Sequence, residues 1–321
     1  MKAWLRLRLR LLAAIAALVV LFVAYVSIHP RGASTYVLTI WANQGTLLGF
    51  AAIAQFFAVL VRGVDLSVGS MIALTNVAAS FLLVGAPVAI AAGVVAVLLL
   101  GLCCGLINGL FIVYGRIQPI IVTLATGSVY AGLALLLRPT PGGAINESLS
   151  DALTYDISGT PTSILLLAGA LLLVAIPLRR TPLGLGMYAI GSAEASAYMT
   201  GVRVNAIKLT AYATGGVFAA LAGLYVSMVT LTGDAGVGPA YTLNSIAAVV
   251  LGGVSLNGGV GSPLGAAVGA LILKTISSLM FFSGAPPLAQ PFFEGLILAI
   301  AIGLGSLGVF RVRNKLDLFN R

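Results

Sequence analysis

Long apolar runs alternate with short polar interruptions along almost the whole chain. Apolar runs that stay continuous over about 20 residues predict membrane-crossing helices, whereas a membrane β-barrel reads as alternating segments of about 10. On this pattern spans fall at 11–28, 36–61, 66–84, 88–114, 119–137, 162–178, 209–230, 241–254, 261–282 and 289–308. The second span is interrupted by Asn43, Gln44 and Gly45, and the eighth is short. Proline and glycine punctuate the turns, as in Gly85-Ala86-Pro87 and Gly284-Ala285-Pro286-Pro287. The expectation is an all-α, polytopic membrane protein of about ten helices, some short or broken, forming one transmembrane domain over 1–321. The first apolar run is too long for a signal-peptide core and lacks a small-x-small cleavage site, so it reads as an uncleaved helix.

The pattern is broken most sharply at Arg62-Gly63-Val64-Asp65-Leu66-Ser67-Val68-Gly69-Ser70, where a carboxylate and two serines sit between apolar runs. Asp65 stands at an N-cap position, with its side chain placed to accept the Val68 amide. A charge at the bilayer centre costs about 2.5–3.5 kcal/mol on insertion scales. Asp65 must therefore lie at an interface, or be held by amide hydrogens or by Arg62. A second break, Gly252-Gly253-Val254-Ser255-Leu256-Asn257-Gly258-Gly259, resembles the first, and both precede an apolar run rich in small residues. Such internal similarity is common in transporters.

Composition sharpens this picture. Hydrophobic residues make up 60% of the chain and charged residues 8%, against about 25% charged in soluble domains. The 39 glycines are spread through the spans, where small residues let helix backbones approach closely. The net charge of +9 follows topology. With the N-terminus inside, of the 17 basic residues only Arg31 and Arg138 face outward, and Lys274 falls within a span. That bias places both termini in the cytoplasm, the segment 138–161 outside and the segment 179–208 inside. No basic, aromatic-interleaved patch appears, which excludes nucleic acid as a partner.

Catalytic and metal-binding constellations are missing from the sequence. It contains no GxxxxGK[ST] loop, no Ser-His-Asp set and no Cys/His metal spacing, and the adjacent Cys103 and Cys104 read as small core residues. Embedded ionisable groups are few: Asp65, Lys274 and Glu294. Ion-coupled transporters usually carry intramembrane carboxylates, so the driving energy is expected from another subunit. Lys274 and Glu294 lie on consecutive antiparallel spans at similar depth, which suggests an ion pair. In the inner stretch, Ser192 can cap a short helix over 193–200 with Glu194 in its first turn and Gly201 at its end. Spacing alone leaves a partner-docking surface and an ordinary connecting loop equally open.

The run from Gly63 to Ser70 resembles the GIDLSVGS signature of the permease subunits of ribose-, xylose- and arabinose-type ABC sugar importers, a family whose architecture is shared with branched-chain amino-acid permeases. Arg116-Ile117-Gln118-Pro119-Ile120-Ile121-Val122-Thr123-Leu124 resembles the family's helix start. Thr181 to Gly201 resembles its cytoplasmic loop, and Ala247 to Gly259 its second glycine-rich signature. The resemblance implies a subunit that pairs with a second copy, as a homodimer or similar heterodimer, in the bacterial inner membrane. It implies cytoplasmic ATPase subunits carrying ATP and magnesium, with no cofactor on this chain, and a periplasmic sugar-binding protein. The ATPase-coupling residues would be Gly191, Glu194, Ala195 and Gly201; a gate would involve Gly63, Asp65, Ser67 and Gly69. The chain departs from the family at Ala131, where arginine is usual, at Tyr198, where a basic residue is common, and at Glu294, where several members carry lysine. For Asp65, helix capping and direct substrate contact both stand as readings. An autonomous secondary transporter and a membrane scaffold are the alternatives of other classes; sparse carboxylates count against the first and the polar breaks against the second.

Overall fold

A computed structural model describes residues 2–286, 289, 292–296 and 299–300. Among the described residues, seven helices are long and apolar enough to cross a membrane. They are α1 (Lys2–Ile28), α2 (Thr35–Leu60), α4 (Pro87–Val113), α5 (Pro119–Leu137), α7 (Thr162–Arg180), α10 (Val204–Thr230) and α12 (Pro263–Phe282). Two shorter apolar helices lie among them, α3 (Val68–Leu82) and α11 (Gly238–Leu251). The tenth expected span, 289–308, and the tail after it lie for the most part outside the described residues.

The expected spans 66–84 and 241–254 are corrected by these lengths. α3 has 15 residues and α11 has 14, so each extends only about 21–23 Å against a hydrocarbon core of about 30 Å. Neither crosses alone. Instead their N-termini meet inside the bundle, where Gly69 of α3 packs on the Gly238 carbonyl at the start of α11. The expected interruption at Asn43, Gln44 and Gly45 does not occur, and α2 runs unbroken for 26 residues. Asn43 is accommodated because it donates to the Thr154 carbonyl and accepts from the Tyr225 hydroxyl. The seventh span begins at Val204 rather than 209, which brings Lys208 into the first turns of α10.

α2 and α10 form the centre of the bundle and are buried along most of their length. Small residues allow this packing: Gly101 and Gly105 of α4 lie directly on the backbone of α10 at Gly216 and Tyr212. On the bundle's outside, α4, α5 and α7 expose apolar side chains such as Val88, Leu136 and Leu173, as expected of surfaces that face lipid. At one end, the polar segment 138–161 folds into α6 (Glu147–Thr154) and a two-strand hairpin, β1 (Asp156–Ile157) with β2 (Thr160–Pro161). Asn146 caps α6, and Ser150 ties it to the Met228 carbonyl of α10. At the opposite end lie α8 (Pro182–Ser192) and α9 (Glu194–Met199).

Candidate functional site

The first polar break is a buried hydrogen-bonded network. Asp65 is only 2% exposed. Its Oδ1 accepts from the Ser67 amide at 2.8 Å and from the Ser67 hydroxyl at 2.5 Å. The expected cap on Val68 is therefore replaced by a tighter turn one residue earlier, and Ser67 itself stands at the N-cap of α3 without a side-chain bond to the helix. Arg62 does not serve Asp65 either; its Nε donates to the Asn257 carbonyl at 3.1 Å.

Donors supplied by three other helices converge on this turn. Asn108 of α4 donates to the Ser67 hydroxyl at 2.8 Å. Thr126 of α5 donates to the side-chain Oδ1 of Asn108 at 2.6 Å, and the Tyr130 hydroxyl lies 3.3 Å from the same oxygen. Thr123 accepts the Leu66 amide at 3.0 Å. Gln55 of α2, with its amide oriented to satisfy both contacts, brackets the Asp65 backbone by donating to its carbonyl at 2.8 Å and accepting from its amide at 3.2 Å. The protons run in one direction, from Thr126 through Asn108 and Ser67 to the Asp65 carboxylate. This is how an apolar bundle holds a buried carboxyl group: by hydrogen bonds from a pre-arranged set of dipoles.

The second break lies beside the first. After α11 the chain turns through Gly252, Gly253 and Ser255, and the Gly259 amide donates to the Leu60 carbonyl at the end of α2 at 3.1 Å. Gly258 rests on the Arg62 side chain. Both breaks are then covered by the end of α8. A Cβ placed on Gly191 would fall on the Leu60 carbonyl and the Gly259 amide, and one on Gly259 would fall on Ser192 and Gly191. Tyr188 adds a hydrogen bond to the Gly261 carbonyl at 3.0 Å. Three stretches far apart in sequence thus touch backbone to backbone at one point: 60–63, 188–192 and 258–261.

α9 extends from that point. Ser192 does not cap it, because residue 192 is still the last of α8 and its hydroxyl donates back to the Tyr188 carbonyl. Ala193 holds the N-cap position, and the helix runs from Glu194 to Met199, one residue shorter at each end than expected. Glu194 pairs with Lys208 of α10 at 2.6 Å, while Tyr198 and Met199 are 73% and 87% exposed and Ala195 also faces outward. Gly201 follows α9 at a φ of 82°, which reverses the chain into α10.

Lys274 and Glu294 line one cavity but form no salt bridge. The Glu294 carboxylate instead accepts from Asn244 at 3.0 Å and from Ser277 at 2.7 Å, and the Lys274 ammonium lies 6.0 Å from the Tyr241 ring centre. Two polar hydrogen bonds satisfy the carboxylate where an ion pair was expected. Among the residues searched, no group of three or more His, Cys, Asp or Glu side chains could hold a metal ion.

Sequence reasoning missed Gln55, Asn108, Thr123, Thr126, Tyr130 and Lys208. A signal was present for some of them. Thr123, Thr126 and Tyr130 recur at spacings of three and four and so share one helical face, and Asn108 is the one strongly polar residue of α4.

Comparison with known proteins agrees with this architecture. The family model described as branched-chain amino acid transport system / permease component matches residues 37–302. The chain is similar to the ribose import permease protein of Haemophilus influenzae, 32% identical over 292 residues, covering 89% of this chain and 90% of the relative. It is also 32% identical over 266 residues to the ribose import permease protein of Bacillus subtilis, covering 81% of each chain. The autoinducer 2 import system permease protein of Escherichia coli is 28% identical over 312 residues, covering 95% of this chain and 94% of that one. No solved structure matches.

Proposed function

Since the chain belongs to the permease family described as branched-chain amino acid transport system / permease component, we propose that it is the membrane-spanning subunit of an ATP-driven importer for a small carbohydrate. It is a multi-pass inner-membrane protein, with seven helices long enough to span among the described residues. The carbohydrate reading rests on two ribose permeases and an autoinducer 2 permease among its relatives, together with the sugar-type run at Asp65. An amino-acid substrate has the family description in its favour and nothing at the breaks themselves.

The observation that carries the reading is the contact of Gly191 with both Leu60 and Gly259. A separate ATPase pressing on the exposed Tyr198 and Met199 of α9 would move the end of α8, and with it both glycine-rich breaks. The breaks join α2 to α3 and α11 to α12, so the displacement reaches four helices at once. In this mechanism the chain binds no cofactor and performs no hydrolysis; ATP and magnesium are held by the cytoplasmic partner. A second permease copy completes the path, and an exported binding protein delivers the sugar. The Asp65 network serves as a rigid node that keeps α3 registered against α4 and α5 while the breaks shift.

The Glu194–Lys208 pair fixes α9 on α10. As a half-exposed pair it contributes only about 0.2–1 kcal/mol to stability. Replacing Glu194 with Lys is therefore expected to leave assembly with the ATPase intact and to lower sugar transported per ATP hydrolysed at least about fivefold. Lys208→Glu in the same chain restores the pair and should recover most of that ratio. Simultaneous measurement of ATP turnover and labelled-sugar uptake tests this. Unchanged coupling in Glu194→Lys defeats the assignment of α9 as the coupling element.

A further inference from the structure

A cavity of about 370 Å³ opens between α1, α2, α12 and Glu294. Its size falls among pockets that take a small molecule, roughly 300–1,000 Å³. Its lining comes from helices of one chain, so its chemistry does not depend on which surface meets a second copy. Lys274 is the twelfth residue of α12 and Gln44 the tenth of α2. Both therefore sit about 12–14 Å from the helix ends that form the rim, at 1.5 Å per residue. His29 and Tyr36 stand at that rim. It is the end of the bundle that carries the β1–β2 hairpin, since Gly159 lies beside Thr35.

The wall carries a cation and a carboxylate that do not meet. Glu294 accepts from Ser277 with Oε1 and from Asn244 with Oε2. Among the described residues, the Lys274 ammonium has neither a salt bridge nor a hydrogen bond, and the Gln44 amide and Ser278 hydroxyl have no hydrogen-bond partner. An ionisable group held at this depth is costly and points to a function. Beside these groups stands an aromatic wall, in which the Phe282 ring centre lies 4.2 Å from His29 and 6.0 Å from Tyr25. Tyr36 and Phe281 also turn their rings to the cavity.

This combination selects one kind of occupant. A metal cation is repelled by Lys274 and an inorganic anion by Glu294. An acyl chain leaves the ammonium, the amide and the hydroxyl unpaired. A neutral polyol satisfies all three, because each of its hydroxyls both donates and accepts, and its C–H face lies against aromatic rings. A zwitterionic amino acid suits Lys274 with its carboxylate, but its ammonium needs Glu294, whose two oxygens each already accept a bond.

We propose that this cavity is a subsite for one monosaccharide, with Lys274, Gln44 and Ser278 bonded to sugar hydroxyls. The inference rests on the carbohydrate reading above and adds a place where the solute is held. The charge pattern assigns the rim to the outside, so the subsite receives sugar handed over at that face.

The test is saturation-transfer difference NMR on the permease–ATPase complex in nanodiscs, without the binding protein. Ribose, xylose, glucose and leucine are each offered at millimolar concentration. At least one of the sugars should give a saturable signal, and leucine none. Gln44→Leu should weaken that binding about fivefold and Lys274→Met at least about tenfold, as expected for the loss of a neutral and of a charged donor. Neither change removes a hydrogen bond formed within the described fold, so thermal unfolding should match the wild type. Gly132→Ala, in open space on α5, should leave binding unchanged. Uptake of the same four solutes by the full assembly, with the binding protein present, tests the carbohydrate reading separately. Sugar uptake without a saturable sugar signal, or with wild-type binding in both variants, overturns the subsite and leaves that reading standing. Leucine uptake with a leucine signal that Lys274→Met abolishes overturns both.

Discussion

Asp65→Ala should lose both uptake and stability, whereas Asp65→Asn should retain most of each. Alanine removes the acceptor of the Ser67 amide and the Ser67 hydroxyl, both inside the bundle. Each buried donor left unpaired costs about 1–3 kcal/mol, and rotation of the Ser67 hydroxyl also disturbs its bond from Asn108. The total, about 2–6 kcal/mol, is a large part of the stability of an ordinary domain. Asparagine keeps an oxygen that accepts both bonds and gives up only the charge. Thermal unfolding in detergent, read beside uptake in cells, separates the two cases. A direct role for the carboxylate in handling solute predicts a different pattern: normal unfolding and failed uptake in both variants. Wild-type unfolding in Asp65→Ala would show that the network contributes nothing.

Gly191→Ala should reduce uptake more than tenfold while the chain still folds and still assembles with its ATPase. The new methyl group falls on the Leu60 carbonyl and the Gly259 amide, which are backbone atoms that cannot rotate away. Overpacking of this kind costs about 1–3 kcal/mol. Here the strain is relieved by withdrawing α8 from the breaks, which removes the contact proposed to transmit motion. Gly132→Ala provides the control. That position has open space around it on α5, so the change should be neutral or slightly stabilising. A Gly191→Ala chain that transports normally would mean the α8 contact carries no motion.

The bundle itself was legible in the sequence because lipid imposes a strict rule: backbone groups must pair within helices, so apolar length reads directly as helix. The register of the short helices was less legible. α3 and α11 look like spans by hydropathy, and only the packing of Gly69 on Gly238 reveals that they stop midway. The turn at Asp65 was correctly recognised as a break, but its bonding was not. Asn and Thr side chains from α4 and α5 supply the partners, and no local spacing encodes which face of α4 meets residue 67. The same reason explains Ser192. Local capping rules favour a serine before Glu194, yet α8 continues through it because its end is fixed by contact with the breaks. The Lys274–Glu294 expectation failed for a related cause, since the partners of Glu294 come from α11 and from the residue three past Lys274 on α12.

The account stands on the chain being a wall that moves only when driven from outside. The most direct measurement is labelled-sugar accumulation in proteoliposomes that contain this chain with or without its ATPase, with the binding protein supplied at the outer face. The account predicts accumulation only when the ATPase and ATP are both present, competed by unlabelled sugar and not by leucine. Accumulation by the chain alone under a proton or sodium gradient would contradict it.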